Sequence, residues 1–304
     1  MSGCCRHPFP FLSEASSSQP AVNGWSRAAL SVLILVLGLT WAAVMAWADA
    51  PPSAASLQES NPVPADHDGE DGDWIDLSDL SAWKPPTGTW FTAADAGLNP
   101  DNRRLLVGLE SPASPGQSNA KPVLINGPIG RTHNLVSRRN FQDVEVDLEF
   151  MVSERSNSGV KLMGLYEIQI YDSFEKPDDQ LKGFDNGGIY PRALMTPRYH
   201  HIDEGYRPKV NASRAPGQWQ TLTIRFRAPR FDAKGTKTKC AVFERVTLNG
   251  VVVQENVQME LPTGHAHVAR KEVAEGPILL QADHGPVAFR NIRARPLPPI
   301  ETSR

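Results

Sequence analysis

Between Trp74 and the C-terminus, apolar and polar residues alternate in short runs: VEVDLEFMV, GVKLMGLYEIQIYD, QTLTIRFRA, AVFERVTLNGVVVQ, GPILLQA and VAFRNIRARPL. A period of two sends successive side chains to opposite faces of a strand, so each run reads as a strand with one packed face and one wet face. In the stretch Glu145-Val-Asp-Leu-Glu-Phe150 the packed face is Val146, Leu148 and Phe150; in Tyr166 to Asp172 (YEIQIYD) it is Ile168 and Ile170. No helical period is found in this part of the chain. Asn249-Gly250, between VTL and VVVQ, suits the two positive-φ positions of a type I′ turn and predicts a hairpin. Many short antiparallel strands within one domain predict an all-β fold, a two-sheet sandwich or jelly roll.

The N-terminal part breaks this pattern. Ala28 to Ala48 carries no charge, follows Arg27 and ends in small residues of the A-x-A kind, so residues 1–48 read as an export signal. Cleavage after Ala48 fits better than after Ala50, which would leave Pro51 at the first mature position. The run is also long enough, about 20 residues, to cross a bilayer, and an uncleaved membrane anchor is the alternative. On either reading the remainder is exported, to the periplasm or the extracellular space. Residues 49–73, rich in Pro, Ser and acid, read as a disordered linker. That leaves a folded domain over 74–298 and a tail over 299–304.

The whole-chain balance, 304 residues with net charge −3 and 40% hydrophobic residues, suits one globular domain with appendages and gives no footing for nucleic acid. Cys4 and Cys5 precede the apolar run and Cys240 stands alone in the exported part, so the expected domain relies on its core without an internal disulfide. Gly-rich phosphate loops, zinc-ligand spacings and a GxSxG elbow are all missing from the sequence.

Candidate chemistry lies on the wet faces. Glu145, Asp147 and Glu149 form a row of carboxylates, and glycosidases that retain configuration use two carboxylates about 5 Å apart; the row also resembles the E-I-D-I-E-F run of lichenase-type endoglucanases. Alternating charge is equally what an ordinary exposed strand shows. YEIQIYD presents Glu167, Gln169 and Tyr171 together, a mixture that hydrogen-bonds and stacks on sugars, with Asp172 at the strand end beside a loop. Gln281-Ala-Asp-His-Gly-Pro286 places Gln281, Asp283 and His284 in one turn, combining an acceptor, a charge and a group that exchanges protons near neutral pH. His200-His201 and the pair His265 and His267 could chelate a metal but lack a third ligand nearby, and read as loop histidines. Arg225, Arg227 and Arg230 read as exposed strand arginines, one of which could hold an oxyanion or a sugar carbonyl.

The order of motifs from about Trp74 to Leu297 resembles the 3-keto-disaccharide hydrolase domain family, a concanavalin-like jelly roll long described only as a domain of unknown function. The matching runs are FQDVEVDLEF, SNSGVKLMGLYEIQIYDS, GGIY ending at Tyr190, VNAS at Val210 to Ser213, GQWQTLTIRFRAPRF, VTLNGVVVQENV, PTG and GPILLQADHGPVAFRNIRARPL. The opening DWIDLSDLSAWKPPTGTWF departs from the family's usual phrase, and PASPGQSNAKPVLINGPIGRTHN reads as an insertion. The resemblance implies a sandwich of two antiparallel sheets and a carbohydrate already oxidised at C3. There the ketone acidifies the C2 proton, a base removes it, an enolate forms and the C1 aglycone leaves; addition of water completes net hydrolysis.

On that resemblance the site falls on the face of YEIQIYD and the ADHG turn. His284 or Asp172 is the expected base, with Glu167 as a further catalytic group that orients the sugar together with Gln169. Tyr171, Tyr190, Gln281 and Asp283 are expected to contact the substrate, and Arg225 or Arg290 to polarise the carbonyl. The sequence assigns no certain cofactor, and a divalent cation could polarise the ketone in place of an arginine. The competing readings are a non-catalytic carbohydrate-binding jelly roll and, behind it, a direct endo-β-glucanase using the carboxylates of EVDLEF.

Overall fold

The computed structural model describes residues 74–111 and 121–299. The stretches read as an export signal or membrane anchor and as a linker, and all but the first residue of the 299–304 tail, lie outside the described residues. The described strands that build the two main sheets are, in chain order, β1 (Ile75–Asp76), β2 (Phe91–Ala93), β3 (Val123–Ile125), β4 (Leu135–Phe141), β5 (Val144–Val152) and β6 (Asn157–Leu162). They continue with β7 (Tyr166–Tyr171), β8 (Gln220–Arg227), β9 (Ala241–Leu248), β10 (Val251–Met259), β11 (Gly276–Leu280) and β12 (Val287–Pro296).

The large sheet runs β10-β9-β8-β5-β12-β3-β2, with β1 also paired to β12, and the small sheet runs β4-β11-β6-β7. Every pairing is antiparallel. Chain neighbours such as β4 and β5, β5 and β6, and β11 and β12 fall in different sheets, so the chain passes repeatedly between layers and makes a jelly-roll sandwich. Helix among the described residues is limited to the four-residue segment Ala266–Ala269 and two 3₁₀ turns.

The two inner faces share one core. Val146, Leu148 and Phe150 of β5, Phe226 of β8, Phe243 of β9 and Phe289 of β12 meet Leu135, Val160, Ile168, Ile170 and Leu280 from the small sheet. Phe226 packs between Tyr166 and Phe243, with ring centroids 5.3 and 5.1 Å away. The Asn249-Gly250 turn has the expected positive φ values of 52° and 81° and joins Leu248 directly to its partner Val251. Cys240 differs from the sequence reading: it is buried and disulfide-bonded.

The outer face of the large sheet resolves the EVDLEF row. Antiparallel register sets Glu145 beside Arg295, Asp147 beside Arg293 and Glu149 beside Arg290. The three arginines bind their partners at 2.8, 2.8 and 2.7 Å. A strict period of two would send Arg290 and Arg293 to opposite faces. A bulge between them, with Asn291 at φ 51°, restores both to the same side while Phe289 and Ile292 both stay in the core. Trp74 lies over Arg293 and Arg295, and Trp219 over Arg290, at 4.3, 4.6 and 4.1 Å.

Phe150 is fully buried at the centre of the core. Phe150→Ala is expected to lower unfolding stability by about 3–5 kcal/mol, read from urea denaturation, and a loss below about 1 kcal/mol would contradict this account of the core.

Candidate active site

The hairpin of β6 and β7 turns at Met163-Gly164, both at positive φ, 58° and 66°. Its register sets Lys161 opposite Glu167, Gly159 opposite Gln169 and Asn157 opposite Tyr171. Alternation then divides the hairpin. Val160, Leu162, Tyr166, Ile168 and Ile170 enter the core, while Asn157, Gly159, Lys161, Glu167, Gln169 and Tyr171 share the outer face. On one side β11 brings Leu279 next to Lys161, and the Gln281 N–H donates to the Gly159 carbonyl at 2.9 Å. On the other side the Tyr190 N–H donates to the Glu167 carbonyl at 3.1 Å. One row therefore reads Leu279, Lys161, Glu167, Tyr190, and the next reads Gln281, Gly159, Gln169, Gly188.

Glu167 and Gln169 are 3% and 1% exposed although they face away from the core. Polar side chains buried on the outer side of a sheet lie below the turns and side chains that surround them, and we read that face as the floor of a recess. Lys161 Nζ lies 3.0 Å from Glu167 Oε2. Burial pushes the Glu167 carboxyl above the ordinary carboxylate range, opposed by Lys161 and His284 and reinforced by Asp283. Gly159 makes room for it, since a Cβ there would stand 2.4 Å from Glu167 Oε1. Gln169 Nε2 donates to Asn157 Oδ1 at 3.0 Å, and Gln169 Oε1 has no hydrogen-bond partner, leaving a buried acceptor for a ligand hydroxyl or water.

The ADHG turn stands at the edge of this floor. Buried Asn126 holds its two ends, donating to the carbonyls of Ala282 and Gly285 at 3.1 and 2.8 Å and accepting the Val287 N–H at 2.8 Å. His284 Nδ1 lies 2.6 Å from Asp283 Oδ1 and 3.3 Å from Gln281 Nε2. With Nδ1–H donating to Asp283, Nε2 is the nitrogen left to exchange protons. The Asp283 hydrogen bond raises His284 above the ordinary imidazole value against partial burial, and nearby Arg131 opposes the rise. Asp283 is held below its ordinary range by His284. Arg131 Nη1 donates to the Asp283 carbonyl at 3.1 Å.

The structure thus gathers Glu167, Gln169, Tyr171, Tyr190, Gln281, Asp283 and His284 around one face. Asp172 does something else with its carboxylate. Its Oδ2 accepts the Arg155 N–H at 2.8 Å and braces the left-handed residue before β6. Arg225 and Arg290 lie on the outer face of the other sheet, tied to Glu145 and Glu149, which corrects their expected place beside the substrate carbonyl. Sequence reasoning missed Lys161, Gly159, Asn157, Asn126 and Arg131. The first three follow from the hairpin register, a signal present in the sequence once the turn is located; Arg131 sits in the stretch read as an insertion.

Two other places hold polar groups. A cavity of about 1000 Å³, lined in part by Arg139, Phe141, Asp143, Arg227, Arg230 and Glu244, lies elsewhere, and Arg227 and Arg230 are neutralised within it by Asp143 and Glu244. Among the described residues no group of three or more His, Cys, Asp or Glu side chains is placed to hold a metal ion. His200 and His267 instead bond to the carbonyls of Arg198 and Gly264.

Residues 73–295 match the family model of the 3-keto-α-glucoside-1,2-lyase-like domain. Among solved structures, the chain is similar to a candidate glycosyl hydrolase from Parabacteroides distasonis, at 23% identity over 71% of this chain and 86% of that one, TM-score 0.45. It is also similar to an alginate lyase variant in complex with alginate tetrasaccharide, at 9% identity over 70% and 98% of the two chains, TM-score 0.34. A carbohydrate-binding module from Bacillus subtilis aligns at 10% identity over 69% and 97%, TM-score 0.27. No curated protein matches the chain.

Gly159 has a backbone that any residue can adopt, and the atom a Cβ would strike is the far end of a flexible side chain. Gly159→Ala is therefore expected to expel the Glu167 carboxylate from its contact with Lys161 while leaving the fold intact. A crystal structure of the variant with the 3.0 Å ion pair unchanged would contradict this reading of the floor.

Proposed function

The chain belongs to the 3-keto-α-glucoside-1,2-lyase-like domain family, and from that premise we propose that it cleaves 3-keto-glycosides at C1 by removing the C2 proton. The observation that carries the reading is the meeting of a half-buried Lys161, paired with the buried Glu167, and the Asp283–His284 pair at one face. A C3 ketone makes the C2 proton acidic, and His284 Nε2 is the group suited to take it, its ring held by the Nδ1 contact with Asp283. The electron pair from the broken C–H bond moves onto the ketone oxygen as an enolate. Lys161 supplies the cation that stabilises it, and Glu167 fixes where that cation stands.

Collapse of the enolate breaks the C1–O bond and forms a C1–C2 double bond. The departing oxygen needs a proton, and the His284 imidazolium holds one. Water adding across the double bond turns elimination into net hydrolysis. Gln169 Oε1 is the acceptor available to orient a sugar hydroxyl. This assignment leaves the carboxylates of EVDLEF outside the chemistry, because Glu145, Asp147 and Glu149 are each tied to an arginine on the neighbouring strand of the large sheet.

A base must be neutral to act, and His284 is raised by Asp283. The kcat/KM for a 3-keto-disaccharide is expected to rise with pH through an inflection above ~6.5, and Asp283→Asn is expected to move that inflection lower. Binding of the 3-keto-disaccharide without sugar release would favour the non-catalytic carbohydrate-binding reading, and equal release from the unoxidised disaccharide would favour a direct glycosidase.

A further inference from the structure

We propose that the exposed ring of Tyr199 forms a stacking subsite for the aglycone, so that the preferred substrate carries a neutral ring as its leaving group; this rests on the cleavage reading above. Tyr190, next to Glu167 in its row, connects the recess to a group of aromatic rings. Its hydroxyl lies 3.0 Å from the Tyr199 hydroxyl and 3.1 Å from His201 Nε2. His201 in turn touches Phe184, Tyr190 and Tyr199, with ring centroids 5.8, 5.3 and 5.7 Å away.

These rings stand on a braced hairpin rather than a loose loop. Ala193–Leu194 pairs with His200–His201, and Asp203 accepts the Arg192 and Gly205 N–H groups at 2.9 and 3.0 Å while its second oxygen binds Arg192 Nε at 2.6 Å. Tyr199 is nevertheless 47% exposed, and Met195, Ile202 and Tyr206 on the same segment are 54%, 42% and 46% exposed. An exposed aromatic cluster beside a polar recess is unusual for a surface with no partner. A ring already held in place loses little freedom on binding, and its face accepts the apolar C–H side of a pyranose while its hydroxyl stays wet.

Charge points to a neutral occupant. Phe184, Tyr190 and Tyr199 bring none, and Arg192 is already paired with Asp203. Lys176, whose ammonium lies 5.5 Å from the Phe184 ring centroid, is likewise paired, with Asp185, and Arg198 is a further exposed cation nearby. A second hexose or an aryl group fits this surface; a short alkyl aglycone would leave it uncovered.

The test compares kcat/KM for a 3-keto-disaccharide with that for methyl 3-keto-glucoside. The preference for the disaccharide is expected to fall about tenfold, mainly through KM, in Tyr199→Ala, and to persist in Tyr199→Phe, which keeps the ring; tenfold corresponds to about 1.4 kcal/mol. An unchanged preference in Tyr199→Ala would overturn the subsite, as would an equal loss in Tyr199→Phe. If the wild-type protein turns over neither substrate, the cleavage reading fails by itself. Calorimetric binding of the unoxidised disaccharide then decides the subsite: weakening by Tyr199→Ala but not Tyr199→Phe supports it, and indifference to Tyr199→Ala overturns it.

Discussion

The ion pair between Lys161 and the buried carboxylate of Glu167 exists because residue 159 has no side chain. A carboxylate loses several kcal/mol of hydration on burial, and its survival in the folded state needs a partner at hydrogen-bond range and space to lie down. Lys161 meets the first need by standing opposite Glu167 across the hairpin, and Gly159 meets the second. Once that carboxylate is fixed, the adjoining Gln169 and Gln281 define a polar floor, and the ADHG turn, held by Asn126, brings a histidine within electrostatic reach of it. Burial of the carboxylate is what makes the pair costly, and the pair holds the Lys161 ammonium at a fixed place beside that floor, where a developing enolate needs a cation.

The two outer faces of the sandwich show how one alternating pattern yields different chemistry. On the large sheet, carboxylates and arginines alternate in register on neighbouring strands, so each charge finds its opposite and the face is electrostatically closed under Trp74 and Trp219. On the small sheet, one lysine meets one glutamate among amides and a glycine, which leaves a buried acceptor unpaired and a recess to be filled. The difference comes from what stands opposite across the ladder, not from either strand alone.

That dependence on partners explains what could be read from the sequence. The inward residues of EVDLEF and YEIQIYD, and the Asn249-Gly250 turn, follow from local rules and were legible. So was the grouping of Glu167 and Gln169 on one face, and of Gln281, Asp283 and His284 in one turn. Lys161 needed the hairpin register, which rests on the Met163-Gly164 turn, and a methionine at positive φ has no sequence signature. Arg290 needed the Asn291 bulge to decide its face, and Arg225 needed the sheet order to place it away from the recess. Asp172 sat at the right strand end, but its carboxylate serves the backbone of Arg155. Arg131 arrives from a stretch whose path no periodicity specifies.

Removal of the C2 proton is the step that separates this account from direct hydrolysis and from simple binding. The most direct measurement follows a 3-keto-glucoside deuterated at C2 during turnover by the intact protein. A primary isotope effect on aglycone release, with the deuterium lost to solvent, is the predicted result. Release of the aglycone at an unchanged rate with deuterium retained at C2 would contradict the account.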